Sequence, residues 1–337
     1  MTITFVVPDA PAIAGFSFRS IRGIEDANAL HAVRAGSMAH DEVDPLSTLE
    51  GILSREDLHA SLAKAVVDSQ QDRWLVAQID EHVVGYSRIA CWPERDGTWV
   101  YLTLGWVLPE WRGRGIGTAM LHWTEDHIRH LAAAEHPTEK IEFAANASST
   151  EKEATALLLH EGYRAGYTVL EIGLDASMSI PPLTALPAGI EVRPVARDHY
   201  SPIGSSVHEA YQHEYDAGRF DESSDPAEFV TELSDPKHDP TLWQIAWDGN
   251  QIAGQVLSVI ENGRAEVFEV SVRPAWRRHG LARGLLLRAL HSLCARGIGV
   301  VRLHTRADFR THARDLYHSV GFHVLKEFPR YCKPLGS

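Results

Sequence analysis

Short apolar runs alternate with amphipathic stretches along the chain, and their order predicts an α/β architecture. Runs rich in β-branched and aromatic residues predict strands, and segments with apolar residues three or four positions apart predict helices. In the first half, strands are predicted at 16–21, 74–79, 83–89, 98–107, 141–144 and 168–174. Helices are predicted at 25–37, 118–134 and 151–160, and a further helical piece follows the acidic positions of the polar, interrupted stretch 40–62.

The order of elements restarts after residues 175–188, a stretch with three prolines among small residues that we interpret as a linker. The second series comprises strands at 190–194, 243–247, 251–260 and up to 272, and helices at 205–213 and 218–233. The sequence therefore predicts an N-terminal domain of 1–174 and a C-terminal domain of 189–337.

Landmark residues recur at a slowly drifting offset. Trp74 and Trp243 are 169 residues apart, and Arg112 and Arg277 are 165 apart. Such drift indicates a duplication followed by small deletions. Each half is predicted to have the order β-α-α-β-β-β-α-β-α-β.

Composition limits the class of protein. A length of 337 residues suggests two domains, and an apolar share of 44% is typical of a soluble globular protein. Three dispersed cysteines, with no Cys-x-x-Cys or His-Glu-x-x-His spacing, predict neither disulfides nor a metal site. Without a signal peptide or an apolar run of ~20 residues, we expect a cytoplasmic protein.

The net charge of the chain and its distribution limit the kinds of molecule that it is expected to bind. A net charge of −13 argues against nucleic acid and against an anionic membrane surface. Residues 181–240 carry 4 basic and 12 acidic side chains, whereas residues 241–337 carry 14 and 7. An anionic cofactor and a cationic second substrate would suit this distribution, although solvated surface charge also produces such imbalances.

One motif occurs in both halves at a predicted junction of strand and helix. It is Arg112-Gly113-Arg114-Gly115-Ile116-Gly117 in the first half and Arg277-Arg278-His279-Gly280-Leu281-Ala282 in the second. A loop of Gly and Arg that opens a helix presents unpaired N–H groups at the positive end of the helix dipole. The motif therefore predicts a phosphate or pyrophosphate site.

The spacing Arg-x-x-Gly-x-Gly/Ala resembles the acyl-CoA pyrophosphate loop of the GCN5-related N-acetyltransferases, the GNAT family. Two copies resemble its tandem members of the mycothiol synthase type. The resemblance implies an α/β (α+β) fold of two GNAT-like domains, each a mixed, mostly antiparallel sheet flanked by helices, with acetyl-CoA as cofactor. The cofactor contacts expected are Val270, Val272, Arg277, Arg278, His279, Gly280, Leu281, Ala282 and Arg283, with Val107, Arg112, Gly113, Arg114, Gly115, Gly117 and Thr118 in the first half.

Acetyl transfer to an amine needs a base for the amine, a hydrogen-bond donor for the thioester carbonyl, and an acid for the departing thiolate. Glu266 lies 11 residues before Arg277 and resembles the general base of the family in strand and spacing. Glu269 is the alternative base. Because 266 and 269 differ by an odd number, we expect the two side chains to face opposite sides of a strand.

Tyr317 precedes Gly321-Phe322 in a segment that resembles the family's Ala-x-x-x-Tyr-x-x-x-Gly-Phe, which implies a general acid. A tyrosine with its ring in the core is the other interpretation. Arg310 stands where the family often has Asn, which puts a pantetheine contact in doubt.

The first half lacks equivalents of both proton-transfer groups. By counting from the motif, Tyr101 takes the place of the glutamate and Leu158 that of the tyrosine. Since leucine cannot protonate a thiolate, we expect a catalytically degenerate N-terminal domain and a catalytic C-terminal one.

The family resemblance places the acceptor near Glu214, Tyr215 and Asp216. Acidic and aromatic groups together suit a cationic amine. We therefore expect an acetyl-CoA-dependent N-acetyltransferase whose acceptor is a small primary amine, such as an amino sugar, an antibiotic, a thiol conjugate or a polyamine. The alternatives are a non-catalytic acyl-CoA sensor or assembly module and a protein N-acetyltransferase.

Overall fold

A computed structural model describes residues 3–50, 54–94, 96–175, 180–212, 226–261, 263–307 and 313–336. The chain forms two compact units. Unit 1 comprises Met1–Thr168 and Phe328–Ser337, and unit 2 comprises Val169–Glu327.

Unit 1 follows the predicted order, with one short strand added at its start. Its elements are β1 (Thr4–Phe5), β2 (Phe16–Arg19), α1 (Ala27–Ser37), α2 (Arg55–Val67), β3 (Trp74–Ile79), β4 (His82–Pro93), β5 (Trp99–Val107), α3 (Ile116–Glu135), β6 (Ile141–Asn146), α4 (Lys152–His160) and the start of β7 (Arg164–Asp175).

Unit 2 repeats the series. Its elements are β8 (Ile190–Arg193), α5 (Tyr200–Tyr211), α6 (Pro226–Leu233), β9 (Gln244–Asp248), β10 (Gln251–Glu261), β11 (Arg264–Val272), α7 (Leu281–Ala295), β12 (Val300–Arg306), α8 (Ala313–Ser319) and the start of β13 (His323–Pro334). Helix α5 begins five residues earlier than predicted. Residues 213 and 218–225 of the two predicted helices lie outside the described residues.

Each unit closes its sheet with a strand from the other half of the sequence. In unit 2, residues 169–175 of β7 pair antiparallel with β12. In unit 1, residues 330–334 of β13 pair antiparallel with β6. The divisions at 168 and 327 thus differ from the predicted boundaries at 174 and 189, because strand pairing rather than chain order assigns these segments.

Both sheets are mixed and mostly antiparallel. Their orders are β1-β2-β3-β4-β5-β6-β13 in unit 1 and β8-β9-β10-β11-β12-β7 in unit 2. The parallel pairs are β5 with β6 and β11 with β12. The predicted α/β (α+β) class of two tandem domains is confirmed.

The helix that follows each loop is anchored on its sheet by apolar side chains. The buried residues of α7 include Leu281, Leu285, Leu286, Leu290 and Leu293. Truncation of one such leucine to alanine typically costs about 2–5 kcal/mol. This packing holds the start of α7, and hence the loop before it, at a defined place above the sheet.

Two β-bulges occur at corresponding positions of the two halves, as expected after a duplication. Strand β4 has one extra residue, Val84, opposite β3, and β10 has one extra residue, Ala253, opposite β9. These bulges are 169 residues apart, which is the offset of the two tryptophans. A further bulge occurs in β11, where Phe268 is unpaired between Val267 and Glu269. Strand β5 pairs with β4 without interruption from Val107 to Trp99.

Candidate active site

The two glycine-containing loops present helix starts without side-chain caps. Gly115 and Gly280 are the N-cap residues of α3 and α7, with φ of 85° and 78°. Glycine adopts this left-handed conformation at little cost. Within the described part of the chain no side chain caps either helix, so the N–H groups of the first turns are available to a ligand. A phosphate group would satisfy them.

The first arginine of each loop is turned inward. The Arg277 Nε donates to Val272 O at 2.8 Å, and its Nη2 donates to Ala210 O at 2.6 Å. The Arg112 Nε donates likewise to Val107 O at 2.9 Å, while Nη1 and Nη2 donate to the two oxygens of Asp41 at 2.6 and 2.9 Å. The Asp41 hydrogen bond is the main reason that the pKa of Arg112 is raised. Both arginines therefore hold the loop against the strand.

The second arginine of the unit 2 loop has an unusual backbone. Arg278 has φ of 65°, where unit 1 has Gly113 with φ of 69°. A left-handed conformation costs a residue with a side chain roughly 1–2 kcal/mol. In return, it places an exposed guanidinium on the loop that precedes α7.

Unit 2 has a cavity of about 1010 Å³ beside this loop. The predicted residues that line it are Glu269, Val270, Val272, Arg277, Arg278, Gly280, Leu281, Ala282, Arg283 and Tyr317. Of the other predicted residues here, His279 is exposed and outside the lining, and Glu266 lies behind His304, which does line it.

The cavity opens where two parallel strands separate. The pairing of β11 with β12 is confined to Ala265 with Val301 and Glu266 with Arg302. Residues 267–272 of β11 line the cavity instead of pairing with β12. An extended ligand could lie along this stretch of β11 in the manner of an added strand.

The bulge at Phe268 overturns the expectation that Glu266 and Glu269 face opposite sides. Glu266 pairs with Val259 and Glu269 pairs with Leu257. Val259 and Leu257 are two residues apart on β10, so they share one face, and residues directly opposite in an antiparallel pair share it too. Both carboxylates therefore project from the same face, about 6.6 Å apart along the strand. The parity argument was wrong because it assumed an unbroken alternation.

Glu269 and Tyr317 lie near each other at the cavity. Glu269 is buried, and the Tyr211 hydroxyl donates to its Oε1 at 3.3 Å. Tyr317 is 7% exposed and packs in the core, with its ring 6.1 Å from that of Phe322. Burial first, and then the charge of Glu269, raise the pKa of Tyr317. The hydroxyl is therefore protonated at neutral pH.

Glu266 belongs to a chain of charged groups that sequence reasoning missed. Its Oε1 lies 3.2 Å from His304 Nδ1, and Glu171 Oε1 lies 3.7 Å from His304 Nε2. Burial alone lowers the pKa of His304, but hydrogen bonds and charges from Glu171 and Glu266 outweigh it and raise the pKa to about 9. Glu171 also accepts from Arg302 Nη1 at 2.9 Å. A sequence signal existed, since β12 carries Arg302 and His304 two residues apart.

Unit 1 has a smaller cavity of about 410 Å³ at its loop. The predicted residues Val107, Arg112, Gly113, Gly115, Gly117 and Thr118 line it. Arg114 is outside the lining, with its guanidinium 4.5 Å from the centre of the Trp111 ring. This cavity is smaller than that of unit 2 because the parallel strands β5 and β6 stay paired as far as Thr103 and Ala145.

The unit 1 cavity lacks the proton-transfer groups. Counting by residue number gave Tyr101 as the counterpart of Glu266, but the bulge shifts this match by one. In the register of the paired strands, Leu102 and Leu104 stand where unit 2 has Glu266 and Glu269. Leu158 of α4 lines the cavity at the place of Tyr317.

Four residues singled out in the sequence lie outside the described residues: Glu214, Tyr215, Asp216 and Arg310.

Within the described ranges, His40, Asp41 and Glu153 come close enough together to hold a metal ion, but Arg112 already engages both oxygens of Asp41. No helix in the described part of the chain is long and apolar enough to cross a membrane.

The sequence matches a model of the Acetyltransferase (GNAT) family twice, at residues 40–148 and 205–322. The chain belongs to this family. The two matches cover about two thirds of its length and fall one in each half, as the duplication requires. The prediction of a tandem GNAT protein is confirmed, and at the level of the family so is that of an acetyl-CoA-dependent N-acetyltransferase.

Relatives share the tandem arrangement over most of their length. A mycothiol acetyltransferase of Nocardia farcinica is 25% identical over 88% of this chain and 91% of its own. A GCN5-related N-acetyltransferase from Sphaerobacter thermophilus has a TM-score of 0.74 at 22% identity, covering 98% of this chain and 97% of its own. A tandem GNAT protein from the clavulanic acid biosynthesis pathway has a TM-score of 0.65 at 15% identity, covering 96% and 99%. The last two likenesses concern the fold.

Proposed function

We propose that unit 2 moves an acetyl group from acetyl-CoA to a primary amine of a small, cationic molecule. The observation that carries the proposal is the lining of one cavity by the uncapped start of α7, the bulged strand β11 and Tyr317. Unit 1 shares the uncapped helix start but has neither a bulge in β5 nor a tyrosine at 158.

The donor is held chiefly by backbone. The amides of Leu281, Ala282 and Arg283 would bind the pyrophosphate, with Arg278 supplying charge. Val270 and Val272 would pair with the pantetheine arm along the open side of β11. When bound, acetyl-CoA supplies the thioester carbonyl that the amine attacks. An N–H freed from the ladder by the bulge at Phe268 is suited to polarise that carbonyl.

The acceptor ammonium must lose a proton before attack. Glu266 is the proposed base, and His304 at 3.2 Å orients its carboxylate. Glu269 lines the cavity and is the alternative base. Since both carboxylates share one face, either can reach an amine at the cleft directly or through one water.

Tyr317 is the proposed acid for the departing thiolate. Its raised pKa keeps the proton on the hydroxyl until a stronger base forms beside it. Tyr317 lines the cavity, where its hydroxyl would face the sulfur of the cofactor.

A cationic acceptor follows from the acids at the cavity. Glu232, Glu269 and Asp315 line it in addition to the nearby Glu266. These carboxylates favour an ammonium group over an anionic acceptor, whereas Arg277, Arg278 and Arg283, which line the same cavity, lie at the loop proposed for the cofactor phosphates. We keep Glu214, Tyr215 and Asp216 as further proposed contacts of the acceptor.

The test is an initial-rate assay with acetyl-CoA and a panel of amino sugars, polyamines and peptide N-termini. We expect turnover with a cationic small amine, and a fall in kcat of about 10²–10⁴ for Tyr317→Phe and for Glu266→Gln or Glu269→Gln, whichever is the base. Tyr331→Phe, a buried tyrosine of unit 1, is the matched control and should keep the wild-type rate.

Three results would contradict the proposal. Binding of acetyl-CoA without turnover on any amine would indicate a sensor, and turnover confined to peptides would indicate a protein N-acetyltransferase. Unchanged rates in all three unit 2 variants would exclude these residues as the acid and base.

A further inference from the structure

Unit 1 contains a second cavity, of about 280 Å³, that acetyl transfer in unit 2 does not use. Three arginines and four aromatic residues line it, one of which is Phe328. We call it the arginine pocket, and its defining residues are Arg34, Arg88, Arg330, Trp74, Tyr86 and Trp106.

Arg34 is the central cation of this pocket. It is 8% exposed on α1, and its Nη2 donates to Glu50 O at 3.0 Å. Its Nη1 is buried and has no hydrogen-bond partner within the described part of the chain. A buried, unsatisfied N–H of a charged group is rare in proteins and marks a place where a partner is missing.

The aromatic residues form a row with a guanidinium at each end. The Trp74 and Tyr86 rings are stacked with centroids 6.3 Å apart, and Tyr86 and Trp106 follow at 5.1 Å. Arg34 lies 5.2 Å from the centre of the Trp106 ring, and Arg88 lies 5.8 Å from that of Trp74. The row offers a flat apolar wall beside two positive charges.

The acids of the pocket are held by backbone groups. Glu50 and Glu151 line it. The amide of Asp44 donates to Glu50 Oε2 at 2.9 Å, and the amide of Ser148 donates to Glu151 Oε2 at 2.7 Å. Three guanidinium groups thus face two carboxylates, so the balance of charge among these five groups is positive.

We propose that the arginine pocket binds a small organic oxyanion, a carboxylate or phosphate monoester on a flat apolar body. The oxyanion would accept the unused hydrogen bond of Arg34 Nη1, and the body would lie along the aromatic row. The volume suits a ligand of one ring.

The pocket adjoins the loop cavity of unit 1. Gly105, Trp106, Asn146, Glu151 and Ala154 line both cavities. An oxyanion there would therefore lie at the position that an acceptor takes relative to a cofactor cleft, yet Leu102, Leu104 and Leu158 stand where unit 2 has Glu266, Glu269 and Tyr317. The arginine pocket would therefore bind its ligand without reacting with it, and this binding does not depend on the proposed activity of unit 2.

The test is ligand-observed ¹⁹F NMR on the full chain with three isosteric probes: 4-fluorobenzoate, 4-fluorophenyl phosphate and 4-fluorobenzylamine. We expect binding of at least one of the two anions that depends on Arg34, whereas any binding of the amine, which could occur at the unit 2 cavity, should not depend on Arg34. Arg34→Met should raise the Kd of the bound anion at least tenfold. Arg34→Lys should raise it less, because lysine keeps the positive charge but lacks the paired N–H donors of the guanidinium group. The matched control is Arg55→Met, an exposed arginine of the same unit.

Each outcome bears on the proposal. Binding of benzoate over the phosphate, or the reverse, names the oxyanion. No binding of either anion, or anion binding unchanged by Arg34→Met, would overturn it, since an anion at either loop would not respond to Arg34. If Arg34→Met does not fold, Arg88→Met at the half-buried end of the row makes the same test.

Discussion

In unit 2, Nδ1 of His304 lies 3.2 Å from Oε1 of Glu266, the proposed base. The other ring nitrogen faces Glu171, so the imidazole sits between two carboxylates. This arrangement holds a proton next to the base at neutral pH. A cationic acceptor near Glu266 would oppose that proton, so binding of the acceptor and loss of the proton are coupled.

The first prediction concerns the pH dependence of stability. The pKa of His304 is raised from 6.5 to about 9 in the folded chain. The stabilisation from its charge is therefore full below pH 6.5 and is lost as the pH rises through 9. It amounts to at most about 3 kcal/mol. Urea unfolding at pH 6 and pH 9.5 should show a smaller difference in His304→Gln than in wild type.

His323→Gln is the control for this measurement, because His323 is an exposed histidine of the same unit. It should leave the pH dependence as in wild type. An equal loss of pH dependence in both variants would mean that His304 is not held between the two carboxylates.

The second prediction concerns the number of cofactor sites. Gly280 and Gly297 flank α7, have φ of 78° and 79°, and both have open space where a Cβ would lie. A glutamate at either position brings similar backbone strain, but only at 280 does it place a carboxylate where the phosphates would bind. Calorimetric titration with acetyl-CoA should lose one site in Gly280→Glu and none in Gly297→Glu.

The same titration of Gly115→Glu tests the loop of unit 1. We expect two sites in wild type and one in this variant. One site in wild type that Gly115→Glu leaves intact would make unit 1 a scaffold, and no binding in wild type would contradict both cofactor sites.

The third prediction tests the contribution of the β11 bulge at Phe268 to catalysis. Deletion of Phe268 would leave every other pairing of β11 with β10 in register, as in β5 of unit 1. We expect a folded chain that binds acetyl-CoA but has kcat lower by about 10²–10³, the usual loss for one donor to a developing oxyanion.

Phe268→Ala is the matched variant. It removes the ring, which stacks on His238 at 4.9 Å, and keeps the extra residue in the strand. Its kcat should stay within a few-fold of wild type. Equal losses in the two variants would assign the effect to the ring instead of the backbone.

The fourth prediction concerns the limits of unit 2. Residues 169–175 pair along β12 and supply Glu171, whose carboxylate is buried against Arg302. Loss of one partner of such a pair typically costs about 3–5 kcal/mol. A fragment 169–327 should unfold at clearly higher urea concentration than a fragment 176–327. Equal stability would favour the boundaries at 174 and 189 that chain order predicts.

Local pattern predicted much of this protein. The apolar periodicity of Thr98 to Val107 and of the residues after Gly115 depends on neighbours in sequence, and so does the conformation of a glycine that opens a helix. The duplication, the loops and the absence of a tyrosine at 158 were therefore visible without coordinates.

Strand pairing was not visible in the same way. A bulge depends on the register between two strands, so the sequence around Phe268 contained no sign that Glu266 and Glu269 share a face. The inward turn of Arg112 also escaped prediction, because its partner Asp41 lies 71 residues away.

The sequence by itself thus determined the order of elements, the two glycine-containing loops and the family, since these rest on short-range periodicity and backbone geometry. Tertiary structure alone decided which carboxylates meet His304, which strand closes each sheet, and that Arg34 lines a second cavity. Those features depend on contacts between residues far apart in the chain, whose free energy is gained only when the sheets form.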